Sequence, residues 1–90
     1  MKNQQKHLRH KILNKYIIYS KNNCSYCVKA ATLLEAKDLL FEIKKVDGDI
    51  NLYEEMRKIA PSMKTLPVIL KDDELIGGYR ELLASLENNE

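Results

Sequence analysis

The chain predicts a small α/β domain, a mixed four-stranded sheet flanked by helices, with elements running β-α-β, α, β-hairpin, α. Three observations predict it. Tyr16-Ile17-Ile18-Tyr19 is a short β-branched and aromatic run, the pattern of a buried strand. From Cys24 onward, Cys27, Ala30, Ala31 and Leu34 recur at intervals of three and four, the period of one helix face. Near the C-terminus, Leu66-Pro67-Val68-Ile69-Leu70 and Glu74-Leu75-Ile76 flank the tight turn Lys71-Asp72-Asp73, which predicts a hairpin.

The remaining elements fall between these. Ser20 to Asn23 is a polar turn joining the first strand to the first helix. Phe41, Ile43 and Val46 alternate with Glu42, Lys44 and Lys45, predicting a strand with one polar face, broken by Asp47-Gly48-Asp49. Leu52, Met56, Ile59 and Ala60 predict a second helix, stopped by Pro61. Gly77-Gly78 ends the hairpin, and Tyr79 to Leu86 forms a last helix with Leu82, Leu83 and Leu86 inward, fraying at Asn88 and Asn89.

Ninety residues supply one core and no more, so residues 15–90 are read as a single domain and 1–14 as a basic N-terminal extension. Leu8, Ile12 and Leu13 could line one side of a short helix in that extension. It holds one arginine and no serine before Ser20, a poor match to a targeting peptide. No apolar run has the length of a membrane span, so no membrane partner is expected. Two cysteines three positions apart are too few for a disulfide-stapled secreted domain, which favours a reducing, cytoplasmic setting.

Charge is unevenly spread. Residues 1–34 carry seven Lys or Arg and no acid, whereas 35–90 carry all thirteen acids against eight bases. The net charge of +2 is too mild, without a nucleic-acid motif, to suggest a nucleic-acid partner. Both cysteines lie in the basic half, where positive potential favours a thiolate and attracts anions.

The spacing Cys24-Ser25-Tyr26-Cys27 alone fits a redox pair, half of a metal site, or two buried thiols. Its place between a buried strand and a helix favours the first. A cysteine there meets unpaired backbone N–H groups and the positive end of the helix dipole, which stabilise the attacking thiolate. Cys27, one turn on and on the same face, is more covered and suits a resolving thiol. A zinc site built from His7, His10, Cys24 and Cys27 has plausible spacing, but both histidines stand in the polar extension.

Three segments carry a family resemblance over roughly residues 15–87: Cys24-Ser25-Tyr26-Cys27, Thr65-Leu66-Pro67, and Gly77-Gly78-Tyr79-Arg80-Glu81-Leu82. In order and spacing the chain resembles glutaredoxins, the glutathione-using branch of the thioredoxin-like fold. The resemblance implies a glutathione-dependent thiol–disulfide oxidoreductase, with Cys24 as nucleophile and Cys27 as resolving thiol. It implies a cis peptide bond before Pro67, which turns Leu66 toward Cys24 to pair with glutathione's cysteinyl unit. Gly78, Tyr79 and Arg80 would receive the γ-glutamyl carboxylate at a helix N-terminus. Lys21 and Lys64 would meet the glycyl carboxylate, Tyr26 would form an apolar wall, and Thr65 would belong to the same glutathione site. Tyr16 and Tyr19 are expected in the core.

The resemblance further implies glutathione as reductant. The partners it implies are glutathionylated or disulfide-containing proteins such as a ribonucleotide reductase, and the protein itself is expected to be a monomer. Departures from the family pattern are Ser25 where proline is commonest, Leu66 for valine, and Arg80 where an acidic or small polar residue is usual. Family members lacking that proline more readily bridge a [2Fe–2S] cluster between two subunits. A glutathione-ligated cluster held by Cys24 in a dimer is therefore the alternative reading.

Overall fold

Residues 14–87 are described by the structure, a computed structural model. The predicted element order is present: β1 (Tyr16–Ser20), α1 (Ser25–Ala36), β2 (Phe41–Lys45), α2 (Ile50–Ile59), β3 (Val68–Lys71), β4 (Glu74–Gly77) and α3 (Tyr79–Glu87). The strands form one sheet in the order β2-β1-β3-β4. β1 runs parallel to β2 and antiparallel to β3, and β3 and β4 are antiparallel. Among the described residues this is a mixed four-stranded, thioredoxin-like sheet with three helices. Apart from Asn14, the basic extension lies outside the described residues, as do Asn88 and Asn89.

The period of two along β1 builds a core on each face of the sheet. Tyr16 and Ile18 point to one face and pack with Ala30 and Leu34 of α1, Ile69 of β3, and Leu82 and Leu86 of α3. Tyr19 points to the other, with Met56 of α2, Ala60, Val46, Val68 and Leu70. Ile18, Leu34, Ile69 and Leu82 are completely buried. Each such side chain contributes roughly 1.5–3 kcal/mol. The exposed Lys15–Glu42 pair, at 3.1 Å, is worth about 0–1 kcal/mol by comparison. Burial, not surface charge, therefore holds α1 and α3 on the sheet. Leu83 is only half-buried, so the inward stripe of α3 is narrower than expected.

β2 departs from its predicted pattern. Ile43 is 46% exposed, while Val46 is buried on the α2 side. β2 is an edge strand that ends at Lys45, so Val46 falls outside its alternation and Ile43 has neighbours on one side only. On the α2 face Lys44 takes the covered place, its ammonium 2.8 Å from the Glu55 carboxylate. The Tyr19 hydroxyl donates to the same carboxylate at 2.5 Å. Burial first, and then Glu55, push the Tyr19 phenol above its ordinary range. Hydrogen bonds from Lys44 and then Tyr19 hold the Glu55 carboxyl below the usual carboxylate range.

Two turns fix the ends of these elements. Asp49 caps α2, its carboxylate accepting from the N–H of Asn51 (3.0 Å) and Leu52 (3.2 Å), and Pro61 follows the last turn. Asp72 and Asp73 both have positive φ, 50° and 70°, as a two-residue hairpin of the twisted type requires. The Asp72 carboxylate also accepts from the N–H of Asn14 and Lys15, tying the hairpin to the start of β1. Among the described residues no helix is long and apolar enough to cross a membrane.

Candidate active site

The site forms where β1 hands over to α1. Ser20 ends the strand, and the chain turns through Lys21, Asn22 and Asn23, the last at φ 57°. This loop is fastened to the loop after β2. The Asn22 N–H donates to Asp47 Oδ2 at 3.0 Å, and the Lys45 ammonium donates to the Asn22 side-chain oxygen. Cys24 follows in extended conformation as the N-cap of α1. Its sulfur accepts from the Cys27 N–H at 3.3 Å, so a sulfur does here what a carboxylate does for α2. The first turn of α1 carries no acid to oppose negative charge on that sulfur.

Cys24 and Cys27 are joined in a disulfide, with their Cα atoms 5.3 Å apart. Their exposures differ as predicted: Cys24 is half-buried, whereas Cys27 is 3% exposed beneath the helix. Ser25 and Tyr26 face outward, Tyr26 being 54% exposed. Leu66–Pro67 is a cis peptide bond, as predicted. Leu66 stands just before β3, its carbonyl oxygen 4.0 Å from Cys24 Sγ.

A groove of 430 Å³ runs from this point toward α3. It brings together Tyr26, Lys64, Thr65, Leu66, Pro67, Gly78, Tyr79 and Arg80, eight residues that the sequence proposes as one site. The rings of Tyr26 and Tyr79 lie 5.7 Å apart at 41°, and the Lys29 ammonium lies 5.4 Å from the Tyr26 ring centre. Lys21, the ninth, lines an adjoining pocket of 390 Å³ that shares Lys64, Thr65 and Leu66 with the groove. Tyr53 and Arg57 of α2 also line that pocket, and Arg57 donates to the Met63 carbonyl at 3.0 Å.

Sequence reasoning does not reach Tyr53, Arg57, Met63 or Glu81. The first two are four apart and so share a helix face, but nothing in the sequence brings α2 to the cysteines. Glu81 was within reach. It stands three residues after Gly78, a capping spacing, and its carboxylate accepts from the Gly78 N–H at 2.9 Å. At φ 130°, a Cβ on Gly77 would lie 2.8 Å from Glu81 Cγ, so its hydrogen lets Glu81 fold back. Among the described residues no group of three or more His, Cys, Asp or Glu could hold a metal ion. His7 and His10 lie outside the described residues.

Comparison with known proteins agrees with this geometry. The glutaredoxin family model matches residues 16–76. Glutaredoxin 3 of Escherichia coli is 39% identical over 67 residues, covering 74% of this chain and 80% of its own length. A probable glutaredoxin of Synechocystis is 36% identical over 67 residues, covering 74% of this chain and 76% of that protein. Reduced E. coli glutaredoxin superimposes with a TM-score of 0.72 at 26% identity, over 83% of this chain and 95% of that one. Family match, relatives, fold and a Cys24–Cys27 redox disulfide agree: the chain belongs to the glutaredoxin family, a family of thiol–disulfide oxidoreductases.

Proposed function

We propose that the protein is a glutathione-dependent thiol–disulfide oxidoreductase of the cytoplasm. One observation carries this reading: a groove of 430 Å³ links Leu66, whose carbonyl oxygen is 4.0 Å from the more exposed sulfur, to the N-terminus of α3. A γ-glutamyl carboxylate fits that helix end, where Tyr79 and Arg80 provide N–H groups. The cysteinyl unit lies along Thr65 and Leu66 against Tyr26. The glycyl carboxylate reaches the adjoining pocket, where Lys21 and Lys64 are joined by Arg57.

In the reduced protein, the Cys24 thiolate attacks the glutathione sulfur of a mixed disulfide. A bond forms between those two sulfurs, the old S–S bond breaks, and the substrate leaves as a thiolate that takes a proton from water. A second glutathione thiolate then attacks the glutathione sulfur of that mixed disulfide, forming oxidised glutathione and releasing the Cys24 thiolate. Where a protein disulfide is reduced instead, Cys27 attacks the mixed disulfide on Cys24 and the observed Cys24–Cys27 bond forms.

The test is glutathione-linked reduction of a small mixed disulfide, coupled to glutathione reductase and NADPH. Steady NADPH consumption that saturates with glutathione supports the reading. No turnover with glutathione, together with turnover by a thioredoxin reductase system, contradicts it.

A further inference from the structure

A second groove reaches the same cysteine pair from the other side. It measures 710 Å³, touches Cys24 and Cys27, and runs between α1 and β2. In the sheet order β2-β1-β3-β4 this places it at the β2 edge, away from the groove that leads to β4 and α3. Beyond the cysteines and Lys21 at its end, the glutathione reading leaves it unused.

Its composition follows from two periodicities. Val28, Ala31, Thr32 and Glu35 are spaced three and four apart, forming one stripe of α1. Ile43 and Lys45 are two apart on β2 and so share a face of the strand. The result is an apolar strip with cations at the cysteine end. Val28 and Ile43 are 64% and 46% exposed, well above the burial of their neighbours in the core. Lys21 and Lys45 line the groove together with Cys24, and the carboxylate of Glu35 comes more than two helical turns after that cysteine.

A mixed disulfide explains why two grooves are needed. Its two chains meet at a bond of about 2 Å. They cannot both lie in one groove, so each must leave the sulfurs in its own direction. We propose that the α1–β2 groove docks the protein half of the substrate: an extended segment with an apolar residue and acidic flanks next to its disulfide cysteine. The apolar residue sits on Val28, Ala31 and Ile43, and the acids meet Lys45. The proposal rests on the oxidoreductase reading; its test below does not require glutathione.

Peptides of equal length, each with one cysteine activated as a thionitrobenzoate mixed disulfide, are reacted with reduced Cys27→Ser protein. Cys24 attacks the peptide sulfur, the protein–peptide disulfide forms, and the released thionitrobenzoate is followed by its colour. The peptides carry Glu and Leu, Lys and Leu, or Gly and Ser around the cysteine. Neutral dithiodipyridine reports the intrinsic reactivity of Cys24. The expected rates, normalised to dithiodipyridine, favour the Glu-Leu peptide over the Lys-Leu peptide by about tenfold at low salt, with the Gly-Ser peptide between. Ile43→Asp lowers the Glu-Leu rate roughly tenfold and leaves the dithiodipyridine rate unchanged. Lys45→Glu narrows or reverses the Glu-over-Lys preference.

Equal normalised rates for the three peptides would overturn the proposal. So would a peptide preference that survives both substitutions. The same peptides as glutathione mixed disulfides, in the coupled assay, separate the two readings. A preference in trapping without glutathione turnover keeps the groove and removes the glutathione reading. Glutathione turnover without a preference in trapping does the reverse.

Discussion

The N-termini of α1 and α2 are each capped by a side chain reaching back to the helix's own N–H groups, the Cys24 sulfur in one and the Asp49 carboxylate in the other. At α2 the capping group is a carboxylate whose bonding does not change with redox state. At α1 the capping atom changes its bonding with redox state, and its charge exists only when the disulfide is open. The same local geometry therefore serves stability at one helix and reactivity at the other. Neighbouring charge follows the same division: α1 has no acid in its first turn, and Lys21 precedes it. A helix dipole of this kind favours an anion by typically 0.3–1 kcal/mol at an exposed site and about 2 kcal/mol in a partly buried one.

Breaking the cap of α1 has the largest expected effect. Cys24→Ser abolishes reduction of glutathionylated substrates, because a serine hydroxyl is not ionised at neutral pH. Cys27→Ser keeps much of that activity, since external glutathione releases the mixed disulfide on Cys24. It loses reactions that require the Cys24–Cys27 bond. Initial rates on a glutathionylated peptide and on a protein disulfide measure both. Equal inactivity of the two variants toward the glutathionylated peptide would contradict the division between attacker and resolver.

Breaking the cap of α2 acts on stability alone. Asp49→Ala removes the acceptor for two N–H groups and costs about 1 kcal/mol, read from urea unfolding. The alkylation rate of Cys24 stays the same. A change in that rate would mean that the two helix ends are coupled through the loop holding Asp47 and Asn22.

A smaller effect sharpens the contrast on the sheet side of α2. Glu55 has its folded pKa lowered by Lys44 and Tyr19, so the folded state binds the proton less readily than the unfolded chain. Its contribution is present above the ordinary carboxylate range and is lost as pH falls through the lowered folded value. Stability should thus decline on acidification, and Glu55→Gln should flatten that decline while lowering stability near neutrality. Thermal unfolding at several pH values checks it. An unchanged acid slope in Glu55→Gln would place the sensitivity elsewhere.

The sequence made the order of elements readable because each signal is local. The β-branched run Tyr16–Tyr19, the three-and-four spacing after Cys24 and the hairpin around Asp72-Asp73 need no knowledge of their neighbours. The Tyr26, Leu66–Pro67 and Gly78–Arg80 groove was readable through motif order, although no spacing by itself brings 26, 66 and 78 together. Other features depend on assembly. Ile43 is exposed because β2 is an edge, a fact of strand order that alternation cannot contain. Arg57 and Tyr53 reach the adjoining pocket only because α2 packs through Met56 on the face of Tyr19. The capping pair Gly78 and Glu81 was legible as a spacing, whereas the close contact of Gly77 with the Glu81 side chain follows only from the folded geometry.

The comparison of the two caps turns on the charge of one sulfur. Iodoacetamide alkylation of reduced Cys27→Ser protein, followed from acid to alkaline pH, titrates Cys24 as the only thiol present. Stabilisation by the N–H groups of α1 and by Lys21 predicts a midpoint well below the free-cysteine value of about 8.5. A midpoint at or above that value would contradict the assignment of Cys24 as the nucleophile.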